Sequence, residues 1–168
     1  MGESASGRKA ALRDELARAR ATWLETVGSL SEADLSRPVF SEGSTWTAKD
    51  LIGHVAYAEG GMLRTLRGSL AAEPTRLPPD FDLDRWNEGT VRRAREQSVA
   101  QLLARMEESR RECAALLDSL DDADLDRPTV HPSAGETTVG NVLSIIARHE
   151  RGHAQDLRAA LGAAGAGA

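Results

Sequence analysis

Apolar residues recur along this chain at three- and four-residue steps, the spacing that lines one face of an α-helix. Leu12, Leu16, Ala19, Trp23, Val27 and Leu30 make one stripe and predict a helix from Arg8 to Leu30. Leu51, Val55, Ala58 and Met62 make a second, in a helix that opens at Thr47 and fades at Gly68. Thr47 can cap a free N–H there, and Asp50 suits the positive end of the helix dipole. A third stripe, from Val99 through Met106 and Cys113 to Leu120, predicts one long helix over Asp84 to Leu120, with Asp84 as its N-cap. Val139, Val142, Leu143, Ile146, Leu157 and Leu161 place a fourth helix over Thr138 to Leu161. No stretch alternates with the period of a strand, and Val39 to Thr45 reads as a loop. The expected fold class is therefore all-α, a four-helix bundle. Ser69 to Leu83, with Pro74, Pro78 and Pro79, is the long connection between helices 2 and 3. Residues 1–7 are expected to be disordered, residues 8–162 to form the bundle, and residues 163–168 to be a loose tail.

The chain carries an internal echo. Ser29-Leu-Ser-Glu-Ala-Asp-Leu-Ser-Arg-Pro38 matches Ser119-Leu-Asp-Asp-Ala-Asp-Leu-Asp-Arg-Pro128, position 29 falling on 119 at an offset of 90. Ser31 is the expected N-cap of a short turn, with Asp34 three residues on. Thr47 is then expected to match Thr137. This reads as two similar helical hairpins, 1–2 and 3–4, related by a pseudo-twofold axis.

A length of 168 residues suits one domain. The formal net charge of −5 argues against a grip based on neutralising phosphates, so no nucleic-acid partner is expected. Arg92, Arg93 and Arg95 are flanked by Glu88 and Glu96 and read as a solvated helix face. No apolar run is long enough to cross a bilayer, so no membrane partner is expected either. The N-terminus lacks the apolar segment of a secretory signal, and the single Cys113 has no partner for a disulfide. A cytoplasmic home follows, and Cys113 reads as a small core residue.

The candidate chemistry lies in three histidines. His149 and His153, in H-E-R-G-H, are one turn apart and fall on the apolar stripe of the last helix, where a core would hold Leu or Val. His54 falls on the stripe of the second helix. Buried polar groups need partners. Neutral imidazole is a good ligand for zinc, nickel or iron, and a three-histidine set leaves positions open for water or a small-molecule substrate. Core-edge histidines hydrogen-bonded to acidic neighbours are the alternative, and spacing alone leaves both open. H-E-R-G-H also fits the H-E-x-x-H pattern, in which Glu150 would be a general base, but the bundle pattern speaks against a protease. Glu150 could otherwise be an acceptor behind the histidines or part of a surface ion pair. His131 sits in a proline-flanked loop and is expected to be exposed.

Trp46-Thr-Ala-Lys-Asp-Leu-Ile-Gly-His-Val55, Trp86-Asn87 after the long connection, and His149-Glu-Arg-Gly-His-Ala-Gln-Asp-Leu157 together resemble the DinB-like, YfiT-like superfamily. The resemblance spans about Ala10 to Leu161. That superfamily includes the N-terminal metal domain of mycothiol-dependent maleylpyruvate isomerase. It implies a four-helix bundle that binds a divalent metal through His54, His149 and His153. It further implies a transferase or isomerase working with a low-molecular-weight thiol of the mycothiol or bacillithiol type, or a hydrolase working through metal-activated water. The other possibility is a non-catalytic, metal-binding stress-response bundle. A homodimer is also expected. The isomerase domain uses a His/Glu/His set, whereas His149 holds the middle position here, and Asp156 stands where relatives often have Gln.

Overall fold

The computed structural model describes residues 5–71 and 77–165. In chain order these form α1 (Ala5–Gly28), a 3-10 turn (Glu32–Ser36), β1 (Pro38–Ser41), β2 (Ser44–Thr47), α2 (Ala48–Leu70), α3 (Leu83–Arg95), α4 (Val99–Ser119), the single turn α5 (Asp122–Leu125), β3 (Pro128–His131), β4 (Gly135–Thr138) and α6 (Val139–Gly165). Four long helices, α1, α2, α4 and α6, make the bundle. Of the two expected tails, residues 1–4 and 166–168 lie outside the described residues, while 5–7 belong to α1 and 163–165 to α6 instead of being unstructured.

The sequence stripes turn inward as expected. Trp23, Leu51, Leu102, Met106, Leu143 and Leu157 are all buried. The helical pairing differs from two simple hairpins. α1 packs mainly on α6 and α4 mainly on α2, while α2 and α6 meet in the middle. Each long helix therefore finds its chief partner in the other half of the chain. Periodicity reports which face of a helix is apolar, not which helix covers it.

Three further expectations are corrected. The single helix over Asp84 to Leu120 is broken into α3 and α4. Ser98 caps α4 by accepting from the Gln101 N–H, and the Gln101 side chain accepts from the Ser98 N–H. This reciprocal box ends the preceding helix as firmly as it starts the next. Asp82, not Asp84, caps α3. The presumed loop at Val39 to Thr45 is most of an antiparallel hairpin, with Pro38 opposite Thr47 and Ser41 opposite Ser44. Its two-residue turn is Glu42-Gly43, both with positive φ (48° and 78°), as a tight hairpin turn requires. Val39 and Trp46 point into the core and Phe40 points out. Four-residue strands are too short for their alternation to stand out from the sequence.

The internal echo is structural. Ser31 with Asp34, and Asp121 with Asp124, form matching capping boxes. The N–H of Ala48 bonds to the carbonyl of Arg37 at 2.9 Å, and that of Val139 to the carbonyl of Arg127 at 3.0 Å. The second hairpin turns through three residues where the first uses two. The offset therefore grows from 90 to 91, Ala48 corresponds to Val139, and Thr47 corresponds to Thr138 rather than Thr137.

α3 approaches α2 at Gly53. A Cβ added there would lie 2.3 Å from the Ala94 Cβ, a contact that only backbone movement relieves. Gly53→Ala gains about 1 kcal/mol of helix propensity but overpacks the contact by about 1–3 kcal/mol. The expected result is net destabilisation in a urea melt. An unchanged or raised midpoint would show that α3 yields freely.

Candidate metal centre

The second turn of α2 carries His54, and the middle of α6 carries His149 and His153. Their Nε2 atoms converge. That of His149 lies 3.0 Å from His54 Nε2 and 3.0 Å from His153 Nε2. Glu42, at the tip of the first hairpin, brings Oε2 to 3.5 Å from His54 and Oε1 to 3.7 Å from His149 and 3.6 Å from His153. One ligand atom from each of the four residues lies within 4.8 Å of the others. The sequence marked the three histidines and missed Glu42. Its only signal was an acidic residue before a glycine, which reads as solvent-exposed turn. A left-handed backbone is costly for a residue with a side chain, and such strain concentrates at functional sites.

The surroundings keep the imidazoles neutral. Burial pushes His54 down to about 3, with nearby His153 adding to the shift. Burial pushes His153 down to about 4, against an opposing pull from Asp156. His149 is held well below the ordinary range, first by burial and then by the other two rings. The tautomer of His153 is set from behind. The Ser41 hydroxyl donates to Asp156 Oδ2 at 2.6 Å, which leaves its oxygen to accept from His153 Nδ1–H at 3.0 Å. The Nε2 lone pair of His153 must then face the cluster. Trp46 packs against the His54 ring, with centroids 4.9 Å apart. The first hairpin thus supplies Ser41, Glu42 and Trp46 to the site.

With His153 protonated on Nδ1, the three rings can bond to one another only if His54 or His149 carries its proton on Nε2. His54 Nδ1 is itself buried with no partner among the described residues, so nothing there competes for its tautomer. A divalent cation accepts all of these lone pairs at once, and imidazole with carboxylate is a donor set suited to zinc, nickel or iron. The residues fit such an ion.

The remaining candidates lie elsewhere. Glu150 is 2% exposed, and its oxygens are bonded to Arg20 and Arg110 at 2.8 Å each. It is neither at the surface nor available as the base of an H-E-x-x-H site, because both of its oxygens are held by the two arginines. His131 is half-buried on β3, where its Nδ1 accepts from the Ser133 N–H at 3.3 Å; it lines the same cavity as His149 but is not one of the converging ligands. Burial pushes the Cys113 thiol up to about 12, which makes it a core residue and not a nucleophile. Arg95 is not simply solvated. It closes α3 onto α2 through two bonds to Asp50, at 2.9 and 3.0 Å.

A cavity of about 700 Å³ opens beside the cluster. Glu42, His54 and His149 line one end, and Met62, Phe81, Trp86, Val142 and Ile145 line much of the rest. Ligand cavities have this mostly apolar character with few polar groups.

A helical bundle that turns three imidazoles and a carboxylate toward an apolar cavity defines a class of metal-site bundle proteins. Residues 41–157 match the model of the DinB superfamily, and the chain belongs to that family. It is similar to a proposed metal-dependent hydrolase of Oceanobacillus iheyensis, with 28% identity over 137 residues, covering 82% of this chain and 76% of the relative. Among solved structures it resembles YfiT of Bacillus subtilis, described as a metal-dependent hydrolase candidate of unusual four-helix-bundle topology. The TM-score is 0.78 at 23% identity, covering 98% of this chain and 93% of YfiT. It also resembles the colibactin self-resistance protein ClbS, solved in complex with double-stranded DNA. There the TM-score is 0.73 at 16% identity, over 89% of this chain and 93% of ClbS. That complex overturns the expectation of no nucleic acid. A net charge sums the whole chain and cannot exclude a partner that meets only part of the surface. Among the described residues no helix is long and apolar enough to cross a membrane.

Proposed function

We propose that this protein is a metal-dependent enzyme in which His54, His149 and His153 hold a divalent cation and Glu42 acts as a general base. The observation that carries this reading is the convergence of three neutral Nε2 atoms with the Glu42 carboxylate on the cavity side. A divalent ion bound there supplies a Lewis acid and lowers the pKa of a water or thiol that reaches it. The chain's own residues do the rest. Ser41 and Asp156 fix the His153 ring. Glu42, raised above its usual range by burial and by the charges of Asp156 and Asp84, is placed to take a proton from the incoming nucleophile. The apolar cavity excludes bulk water from the small-molecule substrate.

Hydrolysis is the preferred reaction, in keeping with the names of the Oceanobacillus and Bacillus relatives. Transfer to or from a low-molecular-weight thiol is the second reading, favoured by a cavity with room for a thiol beside an electrophile. Elemental analysis of protein purified without an affinity tag is expected to find one divalent metal per chain. Glu42→Gln should keep that metal and lose at least about 100-fold in turnover against a panel of esters, amides and thiol–electrophile pairs. Wild-type protein that binds metal tightly and turns over no member of the panel would favour the non-catalytic bundle. Loss of the metal in Glu42→Gln would make Glu42 a ligand instead of a base.

A further inference from the structure

The cavity wall opposite the histidines carries two groups that the proposed chemistry does not use. Asn87, on α3, is 6% exposed, lines the cavity, and has its Oδ1 buried with no hydrogen-bond partner among the described residues. An unpaired buried amide oxygen costs stability, so a partner in the cavity would be favourable. Arg64, on α2, also lines the cavity. Its guanidinium folds back along the helix, coming within 3.8 Å of where a Cβ on Gly60 or Gly61 would stand. The same bare stretch of helix admits Trp86, whose ring would meet a Cβ on Gly61 at 3.1 Å. A cation, an amide and an aromatic face are thus gathered at one end of an apolar cavity, with the metal cluster at the other. Gly61 is seven residues from His54, a rise of about 10 Å along α2.

The lining carries two carboxylates, Glu42 and Asp84, which act on one another. Arg148, the other cation on the lining, donates to Asn141 Oδ1 at 3.3 Å. Arg64 is exposed, and none of the ion pairs among the described residues engages it.

We propose that the substrate is an amphiphilic anion, with an apolar body lying against Trp86, a carboxylate or phosphate on Arg64, a polar group on Asn87, and its reacting group about 10 Å away at the cluster. This rests on reading the cluster as the reacting end. Arg64 and Asn87 determine specificity and take no part in bond making.

Calorimetric titration of the intact protein with octanoate, octyl phosphate, octanol and octylammonium tests this. The two anions should bind about 10–100-fold more tightly than octanol, and octylammonium no better than octanol. The ratio of octanoate to octyl phosphate identifies the preferred head group. Arg64→Gln should abolish the preference for anions and leave octanol binding unchanged, and Arg64→Lys should restore part of it. Asn87→Leu should weaken binding of a hydroxylated octanoate while leaving the melting temperature unchanged or raised. His54→Ala separates the two claims. If its anion preference persists, the anion sits on Arg64. If the preference disappears there and survives in Arg64→Gln, the anion sits on the metal, and the inference fails while the metal reading stands. Equal binding of octanol and octanoate by the wild type would also overturn it. Anion preference in a protein that binds no metal would leave the inference intact and remove the metal.

Discussion

Arg110→Met is expected to cost about 3–5 kcal/mol of stability, more than any single apolar contact near it. Arg110 and Arg20 are each ion-paired with both Glu59 and Glu150. The distances are 3.3 and 2.8 Å from Arg110, and 2.6 and 2.8 Å from Arg20. Each of the four long helices contributes one member of this ring. The side chains are 17% exposed at most, so water screens them little. Burial raises Glu59 and Glu150 above the usual carboxylate range, and the two arginines pull them back. Removing one arginine leaves two buried carboxylates sharing one cation, which is the costly state. Replacing the whole ring with apolar residues of similar volume should recover most of the loss, because the ion–ion attraction is largely offset by desolvation. Adding Glu150→Gln to Arg110→Met should recover part of it. Urea melts with an unchanged m-value provide the measurement. A cost for Arg110→Met below about 1 kcal/mol would mean that the ring behaves like exposed ion pairs.

His149→Ala is expected to abolish metal binding. Its Nε2 is the middle one, 3.0 Å from both of the others, so its loss leaves two imidazoles without their bridging donor. With free metal at about a hundred times Kd, binding stabilises the folded chain by about 2.7 kcal/mol. For a chain of this size that corresponds to about 5–10 °C in Tm. Chelation should therefore lower the melting temperature of the wild type by that amount and leave His149→Ala unmoved. If the three histidines were core residues satisfied by acidic neighbours, chelation would move neither protein.

The sequence made the long helices legible because a 3.6-residue period sustained over five or six turns is hard to produce by chance. It made the three histidines legible for the same reason, since each interrupts an apolar stripe. What it hid was of two kinds. Short elements carry too few positions for a period. Hence β1 and β2 looked like loop, and with them Ser41, Glu42 and their contacts to the site disappeared. Charged residues inside helices look alike whether buried or solvated. Arg20, Glu59 and Arg110 carry no local signal, and the surface ion pair that Glu150 suggests is instead a buried one, because nothing local reveals that four helices point these side chains at one another. Pairing of helices is likewise non-local, which is why α1 on α6 and α2 on α4 had to come from coordinates.

The 91-residue correspondence between α2 and α6 has one more outcome. Moving His54 forward by that step lands on Ile145, and moving His149 and His153 back lands on Ala58 and Met62. All three of these counterparts face the same cavity. The duplicated architecture offers two rotation-related poles, and only one was furnished for chemistry, while the other became hydrocarbon. A guest lying across the pseudo-axis meets unlike surroundings at its two ends, and so the near-symmetric scaffold can accept it productively in only one direction.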